Sequence, residues 1–212
     1  MGDLDNLEEM VAGTQLSSRK DVWISKLSMD GKFYVRDLRS IINARLTRFE
    51  INPTVWTHLV PSKAACFVWR ACQDRIPTKA ALARRGMQFL NLDCHLCGSG
   101  LEDSNHVIVN CLYLKETLDW LWRWCNVPAP TLNTVSDLIS FAANWGRCPK
   151  KRKVFIAIIY GYFWCVWKAR NNRTFNKVRI TPMMLADNIL IEVFGWVKYR
   201  GNFKNCNWQD WC

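Results

Sequence analysis

Apolar residues along the chain follow two periods. In DVWISKLSMDGKFYVRDLRSII (21–42), Trp23, Ser25 and Leu27 form one alternating set, and Phe33 and Val35 resume it after Asp30-Gly31, a strong two-residue turn signal. A small β-hairpin is predicted there. From Arg36 the interval changes: Leu38, Ile41, Ile42 and Leu46 recur at helical spacing. Pro61 opens a helix to about Gln73, with Phe67, Val68, Ala71 and Cys72 on its apolar stripe. The next helix starts at Pro77-Thr78 with Thr78 as N-cap and stops at Gly86, which takes the positive φ of a helix end. Cys111 to Val127 is helical with a tryptophan-rich face, Pro128 and Pro130 mark a linker, and further helices are predicted from Val154 to about Asn171 and from about Pro182 to Lys198. The predicted fold class is mostly α with a small N-terminal β-hairpin. The division expected is a flexible acidic lead over 1–20, a main domain over 21–127, a linker over 128–150 and a basic, aromatic helical region over 151–212.

Composition narrows the class. The 212 residues are 50% hydrophobic and 22% charged, which excludes disordered, collagenous and coiled-coil chains. The longest apolar run, Val154 to Trp167, falls short of the roughly 20 residues that a membrane span needs and reads as a buried helix. The acidic start, MGDLDNLEEM, is no signal peptide, so the expected setting is intracellular with no membrane attachment. Ten cysteines in a reducing compartment are core residues, metal ligands or both, rather than a disulfide framework.

Charge then points to a partner. The net charge of +11 favours an anion, most simply nucleic acid. Residues 56–88 carry six basic residues against one acidic, and 147–204 carry thirteen against two. Between them, 89–146 holds six acidic residues against two basic. A nucleic-acid face is therefore expected in the two flanking blocks.

One constellation carries chemistry. Cys94, Cys97, His106 and Cys111 are separated by two, eight and four residues. A Cys-x-x-Cys turn aims two sulfurs at one point, and with a second pair it completes the tetrahedral shell of a structural zinc ion. Gly98 suits the positive φ of such a turn, and Asp103 or Ser104 caps a short helix carrying His106. On an unbroken α-helix, positions five apart lie about 140° from each other, so the helix must tighten, break or begin near Cys111. One structural Zn2+ is expected, with no open position for catalysis. His95, inside the turn, reads as solvent-facing rather than as a ligand. A zinc deaminase is excluded because no His-x-Glu segment precedes the cysteines.

The run WTHLVPSKAACFVWRACQDRIPTKAALARRGM followed by DCHLCGSGLEDSNHVIVNCLYLKETLDWLW resembles the reverse-transcriptase zinc-binding domain of plant LINE-type (non-LTR) retrotransposons. The features that carry the likeness include Phe67-x-Trp69-Arg70, the Ile76-Pro77-Thr78 step, Leu82-x-x-Arg85-Gly86 and the Cys/Cys/His/Cys quartet. Asp21-x-Trp23 upstream and Trp164-x-x-Trp167-Lys168-Ala169-Arg170-Asn171 downstream extend it over most of 20–176. The resemblance implies an accessory module that holds template RNA or target DNA, with Cys94, Cys97, His106 and Cys111 as zinc ligands. RNA-directed DNA polymerase activity, which belongs to the parent polyprotein, is not expected here. No Tyr-x-Asp-Asp segment occurs, and the acids after residue 120 are isolated, whereas phosphoryl transfer needs clustered carboxylates. Two rivals remain: a docking module for a reverse transcriptase or RNase H region, and a non-functional transposon relic.

Lys63, Arg70, Arg75, Lys79, Arg84 and Arg85 form either one phosphate-contacting surface or an ordinary solvated face. Lys168, Arg170, Arg173, Lys177 and Arg179 either extend that surface or favour a helix C-terminus. Lys150, Lys151, Arg152 and Lys153 form a cluster of nuclear-import type, and equally a charged approach to the apolar helix. Trp56 and Trp69 read as core rather than as base-stacking platforms. Trp120, Trp122 and Trp124 cannot share one helix face, so one or two are core and the rest cover a contact surface.

Overall fold

The computed structural model describes residues 11–12, 18, 20, 22–46 and 55–201. The chain divides into two units, residues 1–50 and 51–212.

In the first unit, α1 spans Val35–Leu46, as the helical spacing from Arg36 predicts. The expected hairpin before it is absent: the described residues contain no strand. Gly31 adopts φ +71° and its carbonyl accepts the Ser25 N–H at 2.8 Å, so the turn forms. Asp30 then takes over the backbone that a second strand would use. Its carboxylate accepts the Lys32 N–H at 3.1 Å and the Tyr34 hydroxyl at 2.8 Å. Trp23, Ile24 and Phe33 are exposed, so the alternating set has no buried face to hold a two-stranded ladder.

The second unit is helical: α2 (Ser62–Cys72), α3 (Lys79–Ala83), α4 (Leu112–Trp124), α5 (Val135–Asn144), α6 (Pro149–Phe175) and α7 (Pro182–Arg200). Local signals explain the boundaries. Pro61 is the N-cap of α2, the Thr78 side chain accepts the Ala81 N–H, and Gly86 sits at φ +90° beyond α3. At α7 the Thr181 hydroxyl accepts the Met184 N–H and Pro182 occupies the first turn, where its missing N–H is no loss.

Residues 128–150, expected as a linker, contain α5. The Thr134 hydroxyl accepts the Asp137 N–H, and the Asp137 carboxylate accepts the Thr134 N–H, closing a capping box. Val135, Leu138, Ile139 and Ala142 then enter the core.

The axis of the unit is α6, buried around its middle, packed against α2, α5 and α7, while α4 packs on α7. Phe67 meets Trp164 and Trp167 across the α2–α6 contact, and Trp122 meets Phe141 and Phe155 where α4, α5 and α6 converge. Gly161 sets the α6–α7 approach: a Cβ there would overlap Val193 Cγ2. Among the three neighbouring tryptophans, Trp122 is core, with Trp120 and Trp124 half-buried. Trp56 and Trp69, expected in the core, are 61% and 36% exposed. Trp69 lies on the α2 face with Lys63, Cys66 and Arg70, opposite the stripe of Ala64, Ala65, Val68 and Ala71. No helix among the described residues is long and apolar enough to cross a membrane.

Candidate metal centre

The cysteine turn is built by its glycines. Gly98 and Gly100 adopt φ of +76° and +75°, a region that side chains with a Cβ disfavour. The Gly98 N–H bonds the Cys94 carbonyl at 2.8 Å, and the Cys94 N–H bonds the Gly100 carbonyl at 2.9 Å. The Leu96 N–H lies 3.4 Å from Cys94 Sγ. A Cβ on Gly100 would stand 3.1 Å from His106 Cε1, so the loop lies directly against the imidazole.

His106 begins a π-helical turn, His106–Asn110. Of the two expected caps, Asp103 acts: its carboxylate accepts the His106 N–H at 2.7 Å, while Ser104 donates to Asp74 instead. The helix does not tighten after His106 but widens, then breaks at Cys111 and begins again at Leu112, as two of the expected outcomes have it. The Cys111 N–H reaches back five residues to the His106 carbonyl at 2.8 Å, turning both side chains to one side. Cys111 then takes extended φ/ψ of −67° and 119° and α4 begins afresh at Leu112. The Ile108 carbonyl in this turn accepts the buried Tyr162 hydroxyl of α6 at 2.6 Å.

The result is convergence. The ligand atoms of Cys94, Cys97, His106 and Cys111 all lie within 4.8 Å of one another. The Cys94 and Cys111 sulfurs are 3.9 Å apart, and Cys97 Sγ is 3.3 Å from His106 Nε2. Around a tetrahedral zinc with Zn–S of about 2.3 Å, two sulfurs lie about 3.8 Å apart, so the donor set fits that ion. The Cys94 thiol is held below its ordinary value, first by its hydrogen bond with Cys111. Burial instead pushes Cys72 up to about 11 and Cys125 and Cys165 to about 12, as expected for core thiols.

Beneath the loop lies a network that the sequence did not announce. Glu102 is fully buried. Its carboxylate accepts the Lys79 N–H of α3 at 3.0 Å, the His95 N–H of the cysteine turn at 3.2 Å and the Arg170 guanidinium of α6. Three segments therefore meet on one anion. Arg170, read from sequence as a surface cation, is 4% exposed, lies over the Trp167 ring, and has a buried Nε–H with no acceptor. His95 is no ligand, yet it is not free in solvent either: its Nδ1 lies 2.7 Å from the Thr174 hydroxyl of α6.

The six basic candidates disperse in role. Lys79 is 6% exposed, its ammonium bonding Asn91 Oδ1 and the Asp93 carbonyl, which withdraws it from any surface. Lys63 lies over the Trp164 ring, Arg70 donates to the Arg75 carbonyl, and Arg84 pairs with Asp74. Lys63, Arg70, Arg75, Arg84 and Arg85 remain exposed. In the import-type cluster, Lys150, Lys151 and Lys153 are exposed on the first turns of α6, while Arg152 folds back onto the Trp145 and Gly146 carbonyls.

Comparison with known proteins returns no curated protein and no solved structure that matches. Residues 33–118, which include all four candidate ligands, match the family model described as zinc-binding in reverse transcriptase, and the match supports a zinc-binding domain of that type over this stretch.

Proposed function

We propose that the chain is a zinc-stabilised, nucleic-acid-binding accessory module derived from a reverse transcriptase of a plant LINE-type (non-LTR) retrotransposon. It performs no chemistry itself. The observation that carries this reading is the convergence of three thiols and one imidazole within 4.8 Å, inside the stretch that matches the reverse-transcriptase zinc-binding family. Four protein donors leave no position for a reacting water, so a single ion there is structural. The net charge of +11 supports RNA or DNA as a non-specific partner, with a reverse transcriptase or RNase H region as the neighbour it serves. Lys63, Arg70, Arg75, Arg84 and Arg85 are the outward cations of the first basic block, and the exposed lysines at 150, 151 and 153 favour nuclear import.

The test is a zinc determination followed by titration of zinc-loaded protein with labelled single-stranded RNA, single-stranded DNA and duplex at several salt concentrations. One zinc per chain and affinity that falls steeply with salt, and further in Arg84→Glu/Arg85→Glu, are expected. Absence of binding at low salt overturns the nucleic-acid reading. It would turn attention to a protein-docking role, which the exposed Trp56 and Trp69 favour.

A further inference from the structure

Three concavities adjoin one another along the cysteine turn and the C-terminal end of α6. The largest, about 650 Å³, is lined mainly by apolar side chains, among them Leu82, Met87, Phe89, Leu90, Trp167 and Phe175. Its size lies in the range of small-molecule sites. The second, about 320 Å³, is lined among the described residues by His95, Arg173, Lys177 and Arg179. The third, about 240 Å³, has Leu96, Tyr113, Val178 and Ile180 in its walls. The first two share His95, and the last two share Arg173 and Arg179. The order is therefore apolar, cationic, apolar.

The cations of the middle position have no carboxylate within ion-pair distance among the described residues; the ion pairs of the second unit lie elsewhere, at Asp74, Glu102 and Glu192. Lys177 is held by its backbone geometry and by its ammonium, which donates to the Thr174 carbonyl at 3.0 Å. The residue adopts φ +59° just past α6, where the Val178 N–H returns to the Asn172 carbonyl at 3.2 Å, a helix end that glycine ordinarily occupies. A side chain with a Cβ is disfavoured in this conformation, where glycine is not. Lys79 and Arg170 also line the first cleft, but both are buried with their charged groups bonded within the protein, so the charge of the track comes from its middle position.

We propose that this track binds unpaired nucleotides of a single strand, one base in the large apolar cleft, the next against Tyr113 and Leu96, and the phosphate between them on Arg173, Lys177 and Arg179. The proposal rests on the nucleic-acid reading above and adds to the first basic block a second contact surface at the C-terminal end of α6. Bases stack on apolar and aromatic walls while cations track the backbone, and a duplex, with its bases paired inside, offers the cations its phosphates but the clefts no base. The metal would acquire a role in recognition: of the two residues between Cys94 and Cys97, His95 lines the first two concavities and Leu96 the third, so an ion bound there would fix the track.

The test compares two labelled probes of equal charge on zinc-loaded full-length protein: five-nucleotide oligo(rA), and the same phosphodiester length with abasic sugars. The base-bearing strand is expected to bind about tenfold tighter or more. Phe89→Ala, in the irregular segment after α3, should remove most of that preference and leave the abasic affinity unchanged. Lys177→Gly should keep or raise the melting temperature, because it relieves the left-handed backbone, yet weaken both probes and lower the salt slope by about one. Equal affinity for the two probes, or a preference that survives Phe89→Ala, overturns the track while salt-sensitive binding still upholds the broader reading. Failure to bind any strand overturns both.

Discussion

Replacing Glu102 by glutamine tests how far the seating of the metal loop depends on one buried anion. The wild-type carboxylate accepts from Lys79 N–H, His95 N–H and the Arg170 guanidinium, with the Glu102 and Arg170 side chains 0% and 5% exposed. Glutamine keeps the shape but brings one amide oxygen and one NH2. Whichever way it turns, an NH2 faces an N–H donor, and Arg170 is left without a countercharge. Breaking a buried pair from one side costs about 3–5 kcal/mol in general, and the retained amide oxygen places Glu102→Gln near the low end, about 3 kcal/mol. For a unit of this size that corresponds to a fall in melting temperature of roughly 6–12 °C. Arg170→Met alone removes the cation and leaves the carboxylate with two backbone donors, an expected loss of about 2 kcal/mol. The double variant no longer strands a charge, so it should be more stable than the sum of the singles predicts by at least about 1 kcal/mol. Urea unfolding followed by circular dichroism, with zinc content measured in parallel, gives the cycle. A loss under about 1 kcal/mol for Glu102→Gln, or additivity of the two singles, would refute the claim that this anion holds the three segments together.

Three further outcomes follow from named contacts. Chelation of the metal, or Cys97→Ser, should unfold the 90–115 region, seen as lost helical signal and rapid amide exchange there; an unchanged melting temperature would count against a structural ion. Tyr162→Phe strands the Ile108 carbonyl of the π turn and should lower stability by about 1–3 kcal/mol, with weaker zinc retention in a competition assay against a chromogenic chelator. Gly161→Ala drives a methyl into Val193 and should cost about 1–3 kcal/mol despite the better helix propensity of alanine, and adding Val193→Ala should recover part of it in thermal melts.

How much of this was legible in the sequence depends on the reach of each interaction. The helix starts at Pro61, Thr78 and Pro182 and the turn at Gly98 are decided within four residues, so spacing and capping rules reach them. The ligand quartet is legible for the same reason: its span is short and its chemistry restrictive. The hairpin fails because alternation specifies a strand only where a buried face rewards it, and Trp23 and Phe33 have none. The α5 helix hides behind Pro128 and Pro130, although Thr134 and Asp137 carried a capping signal that the two prolines obscured. Glu102 and Arg170 are 68 residues apart, and nothing local distinguishes them from solvated charges. Lys79 misleads similarly, since its partners are a carbonyl and an amide, which no charge pattern records. Trp56 and Trp69 show the converse: large apolar residues near a core helix that the fold leaves outside.

The π turn between His106 and Asn110 sets a rotational phase. Because α4 restarts after Cys111, its orientation about its own axis is not inherited from the turn that carries His106; it is reset at the sulfur. Leu114, Leu118 and Leu121 are all buried, and all three are read off from that one angle. A metal bridging His106 and Cys111 would act as the index mark between two helical segments that are out of register by one residue. Its loss would then be felt beyond the loop it closes, as slippage in the direction α4 faces and so in the seam that α4 shares with α7.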